Sequence, residues 1–189
     1  MTCNKGREDI FLCRCDLKMN ECRDDNYLIY QSLIKHYLQE LQRRLGNSLL
    51  SVTLFGSVAR GEATANSDID LLTLVKKRTY NIEKRIIKVN VESFNWPEMA
   101  SLRERRIQTK IYNIVKTEAE LRENPLILLD ISEDGKILYD PKGKMKKILE
   151  KLKKKLKELG AEKIVLKNGK GYWDLKPDWK PGELVEIKL

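Results

Sequence analysis

Beyond the first twenty-odd residues, apolar positions recur with regular periods. Leu33, Ile34, Tyr37, Leu38, Leu41 and Leu45 follow one another at helical spacing, behind the capping residues Asp24, Asp25 and Asn26 and ahead of Gly46. They predict an amphipathic helix. The run SLLSVTLFG is a largely apolar stretch and predicts a buried strand ending at Gly56, and DIDLLTLV predicts a second from Asp68 to Val75. Residues 79–92 and 97–106 have helical spacing broken at Asn95, Trp96 and Pro97, and TKIYNIVKT is rich in β-branched residues, as a third strand would be. Thr117 heads a short helical segment, TEAELRE. PLILLDISEDGKILYD then predicts a helix or strand, a turn at Asp134-Gly135 and a short strand. In KGKMKKILEKLKKKLKELG, Met145, Ile148, Leu149, Leu152, Leu156 and Leu159 mark a helix whose other positions are mostly lysine. KIVLKNGKGYWDL predicts a hairpin turning at Asn168-Gly169, and Pro177 and Pro181 argue against helix at the end. The pattern is a mixed α/β core with a helix in front and a small basic α+β appendage behind it. The expected units are a tail over 1–23, a core with its leading helix over 24–140, and the basic helix and hairpin over 141–189.

Composition sharpens this outline. The 189 residues are 34% charged and 41% hydrophobic, and no apolar run approaches the ~20 residues of a membrane span. The N-terminus has charges where a secretory signal needs its apolar region, so a cytoplasmic protein is expected. The net charge is +9, of which residues 141–189 contribute 15 basic and 7 acidic groups. Such a segment is either a solvated helix face or a footprint for a polyanion. Tyr172, Trp173 and Trp179 lie among these lysines, where core packing is the simpler role and base stacking the alternative. Cys3, Cys13, Cys15 and Cys22 cluster near the start. Four thiolates can hold Zn2+, but without a C-x2-C pair that is only a weak suggestion, and free thiols in a tail are the favoured reading. His36, the one histidine, sits inside the first helix and is given no catalytic role.

The chemistry concentrates in Phe55-Gly56-Ser57-Val58-Ala59-Arg60-Gly61, followed by Ser67-Asp68-Ile69-Asp70. A strand that stops at Gly-Ser where a helix begins lets backbone amides approach a phosphate, and Ser57 adds a hydroxyl donor. Asp68 and Asp70 alternate onto one strand face, roughly 6–7 Å apart at Cα. Like charges so close favour a cation between them, and Mg2+, with carboxylate and phosphate oxygens as ligands, is the natural choice. Together the two devices point to a metal-bound nucleoside triphosphate.

GSVARGEATANSDIDLL resembles the defining motif of the DNA polymerase beta-like nucleotidyltransferase superfamily, G-S-x-x-R-G followed by S-D-x-D, in the compact layout of its minimal bacterial and archaeal members. The resemblance implies a nucleotidyltransferase fold, a short mixed sheet flanked by helices, in which Gly56, Ser57, Arg60 and Ser67 form the nucleotide site, with Arg60 either holding phosphate or bracing the turn. It makes Asp68 and Asp70 the catalytic ligands of Mg2+, or of Mn2+ in its place. Active members add a third carboxylate from a later strand. Here Asn113, in Tyr112-Asn113-Ile114-Val115, is the expected counterpart, and Glu92 is an alternative on a segment that reads as helix. The implied function is transfer of a nucleoside monophosphate from an NTP to a hydroxyl acceptor on protein or RNA, releasing pyrophosphate. Minimal members often nucleotidylate a small helical toxin as antitoxins, so such a partner is carried as an expectation, as is a homodimer. The competing expectations are a nucleotide- or RNA-binding module impaired at Asn113, which Asn113→Asp would revive, and an antitoxin-like interaction protein with no chemistry of its own.

Overall fold

The computed structural model describes residues 25–123, 126–166, 171–180, 182–183, 187 and 189. The four cysteines and the Asn168-Gly169 turn lie outside them. In order come α1 (Asp25–Leu45), a 3-10 turn (Gly46–Ser48), β1 (Leu49–Phe55), α2 (Gly56–Arg60), β2 (Ile69–Val75), α3 (Tyr80–Ser93) and α4 (Pro97–Glu104). These are followed by β3 (Ile111–Lys116), α5 (Glu118–Glu123), α6 (Ile127–Asp134), β4 (Lys136–Tyr139), α7 (Lys144–Leu159), β5 (Glu162–Val165) and β6 (Gly171–Asp174).

Four strands form one mixed sheet in the order β3-β2-β1-β4. β1 runs antiparallel to both neighbours, and β2 and β3 are parallel. A parallel pair needs a crossover, which α3 and α4 supply. Each face is covered by helices. On one, Val52, Leu54, Leu71 and Val75 share a core with Leu33, Tyr37 and Leu41 of α1 and with Ile82, Ile86 and Val89 of α3. On the other, Leu50, Leu72 and Leu74 pack with Leu128 and Ile131 of α6 and with Met145, Ile148, Leu152 and Leu156 of α7. With both faces covered, β1 is buried from Leu49 to Leu54, the polar Ser51 and Thr53 included.

Within the segment PLILLDISED, Ile127–Asp134 resolves as helix α6. The lysine-rich helix seats its apolar stripe in the second core while Lys146, Lys147, Lys151, Lys153 and Lys154 face outward. Asp140 caps its start by accepting from the backbone N–H groups of Lys144 and Lys146 at 2.7 and 2.9 Å. β5 and β6 pair antiparallel as the expected hairpin. Trp173 packs against the second core, whereas Tyr172 and Trp179 are exposed. No helix among the described residues is long and apolar enough to cross a membrane.

Candidate active site

The end of β1 and the start of β2 meet at Gly56. The register pairs Phe55 with Asp70, so the residue after Phe55 passes directly over the Asp70 side chain. A Cβ built on Gly56 would lie 2.2 Å from Asp70 Oδ2, and the backbone there has a φ of +75°. Both facts demand glycine: any side chain would collide with the carboxylate, and the left-handed conformation strains other residues. α2 begins immediately, so its first-turn amides, which lack intrahelical acceptors, open beside the same carboxylate. The Ser57 hydroxyl has no hydrogen-bond partner among the described residues, while its carbonyl accepts from the Glu62 N–H at 2.9 Å.

Asp70 is half-buried, and its pKa is raised from the ordinary carboxylate value. Burial is the main cause and the Asp68 charge the second, while the Arg60 guanidinium pulls the other way. A carboxyl disfavoured in its ionised form by burial and by a neighbouring acid, with a glycine-cleared backbone over it, suits a hard divalent cation. No group of three or more His, Cys, Asp or Glu able to hold a metal occurs among the described residues. A cation here would therefore take two carboxylates from the chain and the remaining ligands from substrate phosphates and water, as Mg2+ commonly does.

The other motif residues are placed close by. Arg60 ends α2 and donates through Nε to Glu62 Oε2 at 2.7 Å. Ser67 organises the turn before β2: its Oγ accepts from the Thr64 N–H at 2.9 Å, and its own N–H donates to the Thr64 carbonyl at 3.1 Å. That arrangement fixes the approach of Asp68, one residue ahead of the strand. Lys110, at the entrance to β3, brings Nζ to 3.9 Å from Asp68 Oδ2.

Asn113 requires a correction. In the parallel pairing of β2 with β3, Asp70 is opposite Tyr112 and Leu71 is opposite Asn113. Neighbouring strand positions face opposite sides of a sheet, so Asn113 points away from the carboxylate pair. Its Nδ2 donates to the Tyr37 hydroxyl at 2.8 Å, and that hydroxyl donates to Asn90 Oδ1. Asn113 is thus a bracket between β3, α1 and α3, not a third ligand. Tyr112, exposed at 58%, occupies the position beside Asp70. Glu92 is no alternative, because it lies on α3 in an ion pair with Arg44.

Sequence reasoning also missed an open groove of about 1130 Å3 on the β3 side of Asp68. It is lined by Asn66, Asp68, Phe94, Arg103, Arg106, Gln108, Thr109 and Lys110. Its cations come from residues more than thirty positions after the motif, so no local pattern linked them to it.

Comparison with known proteins identifies relatives and a family. Two proteins of Methanocaldococcus jannaschii, each named "Putative protein adenylyltransferase", are similar in sequence. One is 27% identical over 157 residues, covering 82% of this chain and 95% of the relative. The other is 40% identical over 58 residues, covering 30% of this chain and 59% of the relative. Among solved structures, a chain of a toxin–antitoxin crystal structure with AMP-PNP aligns at 21% identity. That alignment has a TM-score of 0.41 and covers 62% of this chain and 82% of that one. The sequence profile of the family described as "Nucleotidyltransferase domain" matches residues 34–161. That match takes in α1 from Ile34 onward, the Gly56–Asp70 site, all four strands of the sheet and α7, and the chain belongs to the nucleotidyltransferase domain family.

Proposed function

We propose that the chain transfers AMP from ATP to a hydroxyl of a protein acceptor, with Mg2+ at Asp68 and Asp70. The observation that carries this reading is the approach of Gly56 to Asp70 beside a second carboxylate, a place where backbone amides and paired acids converge. The names of the two sequence relatives favour an adenylyl group and a protein acceptor. Gly56, Ser57 and the start of α2 bind the outer phosphates, with Arg60 and Ser67 bracing the turns on either side. Asp68 and Asp70 would hold the cation, which would supply charge neutralisation as pyrophosphate leaves. The acceptor oxygen forms a bond to the α-phosphorus, the bond to the β-phosphate's bridging oxygen breaks, and the hydroxyl proton passes to water. A protein that consumes ATP in this way would work in the cytoplasm.

The test incubates the protein with α-labelled ATP, CTP, GTP or UTP, Mg2+ or Mn2+, and a total cell extract, beside the Asp68→Asn/Asp70→Asn variant. Label from ATP on a protein band, absent with the variant, is the expected result. Label confined to RNA would replace the acceptor class. Mg2+-dependent nucleotide binding without transfer would make the chain a binding module.

A further inference from the structure

We infer that the groove beside Asp68 docks the acceptor, and that it selects an acidic peptide segment around the hydroxyl to be modified. This rests on the AMP-transfer reading above and adds the acceptor's chemistry to it.

The placement follows from the sheet. With strands in the order β3-β2-β1, the Gly56-Ser57 loop lies on the β1 side of the carboxylates and the groove on the β3 side. Phosphoryl and nucleotidyl transfer proceed with the attacking and leaving oxygens roughly in line. A triphosphate seated over Gly56 and Ser57 sends pyrophosphate out on the β1 side, so the attacking hydroxyl enters from the β3 side, through the groove.

The lining sets what can enter. Arg103, Arg106 and Lys110 face a single acid, Asp68. Lys110 is held near that acid at 3.9 Å, and Arg103 donates to the Phe94 carbonyl at 2.8 Å. Arg106 has no carboxylate partner among the described residues. A guanidinium that is exposed and uncompensated is suited to bidentate pairing with a carboxylate. Asn66 and Gln108 add neutral hydrogen-bonding groups. Phe94 is the one aromatic of the lining. A groove for single-stranded nucleic acid would stack successive bases on several aromatic faces. One ring with three cations fits glutamates and aspartates better.

The experiment uses the full chain and two fluorescent peptides with Ser, Thr and Tyr at the centre, one flanked by glutamates and the other by lysines. An oligonucleotide is run in parallel. Anisotropy is expected to show the acidic peptide binding at least tenfold more tightly than the basic one, with affinity falling as salt rises. Arg106→Glu is expected to weaken that binding about tenfold and lower kcat/KM for AMP transfer to the peptide similarly, with KM for ATP unchanged. Gln108→Glu adds a negative charge to the lining at nearly unchanged side-chain size, so it is expected to act in the same direction even if Arg106→Glu folds poorly. Equal binding of the two peptides, indifference to both substitutions, or tighter binding and labelling of the oligonucleotide would each overturn the inference. Variant-sensitive binding of the acidic peptide with no label on any protein would uphold the groove's specificity and overturn the transfer reaction instead.

Discussion

Two polar intrusions into the same sheet, one register step apart, meet opposite fates. On one face Asp70 carries a carboxyl that burial and Asp68 push toward its neutral form. On the other, Asn113 is held by Tyr37, whose hydroxyl also engages Asn90, and joins β3 to α1 and α3. The first arrangement costs stability, and a cation and nucleotide would relieve that cost. The second is a satisfied bracket inside the fold, apart from the unpartnered Asn113 Oδ1. Unfavourable electrostatics concentrated beside a cleft marks a working site, whereas a polar group matched to its neighbours marks architecture.

Gly56→Ala should break this contrast most severely. The added Cβ meets Asp70 Oδ2 at 2.2 Å in a left-handed backbone. Transfer should fall more than ~100-fold, with about 1–3 kcal/mol lost in thermal unfolding.

Asp70→Asn separates function from stability. Label transfer should fall to background, while the cation-free protein should gain on the order of 0.5 kcal/mol, since exposure discounts the like-charge relief. Calorimetry without Mg2+ checks the sign, and a loss of stability would contradict it.

Exchanging the acid between faces sharpens the register argument. Asn113→Asp places a carboxylate against the Tyr37 hydroxyl, which it should destabilise by about 1–3 kcal/mol without raising transfer. Tyr112→Asp sets a third carboxylate opposite Asp70 and should raise kcat about tenfold as a proton acceptor. A gain from Asn113→Asp and none from Tyr112→Asp would show the register to be wrong.

The smallest effect is the pH dependence of folding. The folded Asp70 holds its proton above the pH at which the unfolded chain releases it. Between those two pKa values the folded state binds more protons, so stability without Mg2+ should fall as pH rises through that window. Saturating Mg2+ and nucleotide should remove this slope, because they favour the ionised form. By the same linkage, their affinity should decline on acidification starting above the ordinary carboxylate range.

Much of this was legible along the chain. The leading helix, the two apolar strands and the Gly-Ser to Asp-x-Asp spacing are local patterns, and each appears where periodicity and residue type put it. The segment PLILLDISED stayed open between helix and strand because a short apolar run suits both, and only packing against α7 and β2 resolves it. The Asn113 reading failed on a quantity that no local pattern carries. A one-residue change of register between β2 and β3 exchanges Tyr112 and Asn113 across the sheet.

The sequence by itself determined the chemistry available at the site. Glycine at 56, serine at 57 and aspartates at 68 and 70 are spaced so that consecutive elements bring them together, through contacts local in the chain. The tertiary structure alone decided which residues stand around that pair. Tyr112 faces Asp70, Asn113 turns inward, and Arg103, Arg106 and Lys110 form a wall beside Asp68. These placements depend on strand order and on the α3–α4 crossover, which join residues distant in sequence, and their energies come from packing on two sheet faces at once.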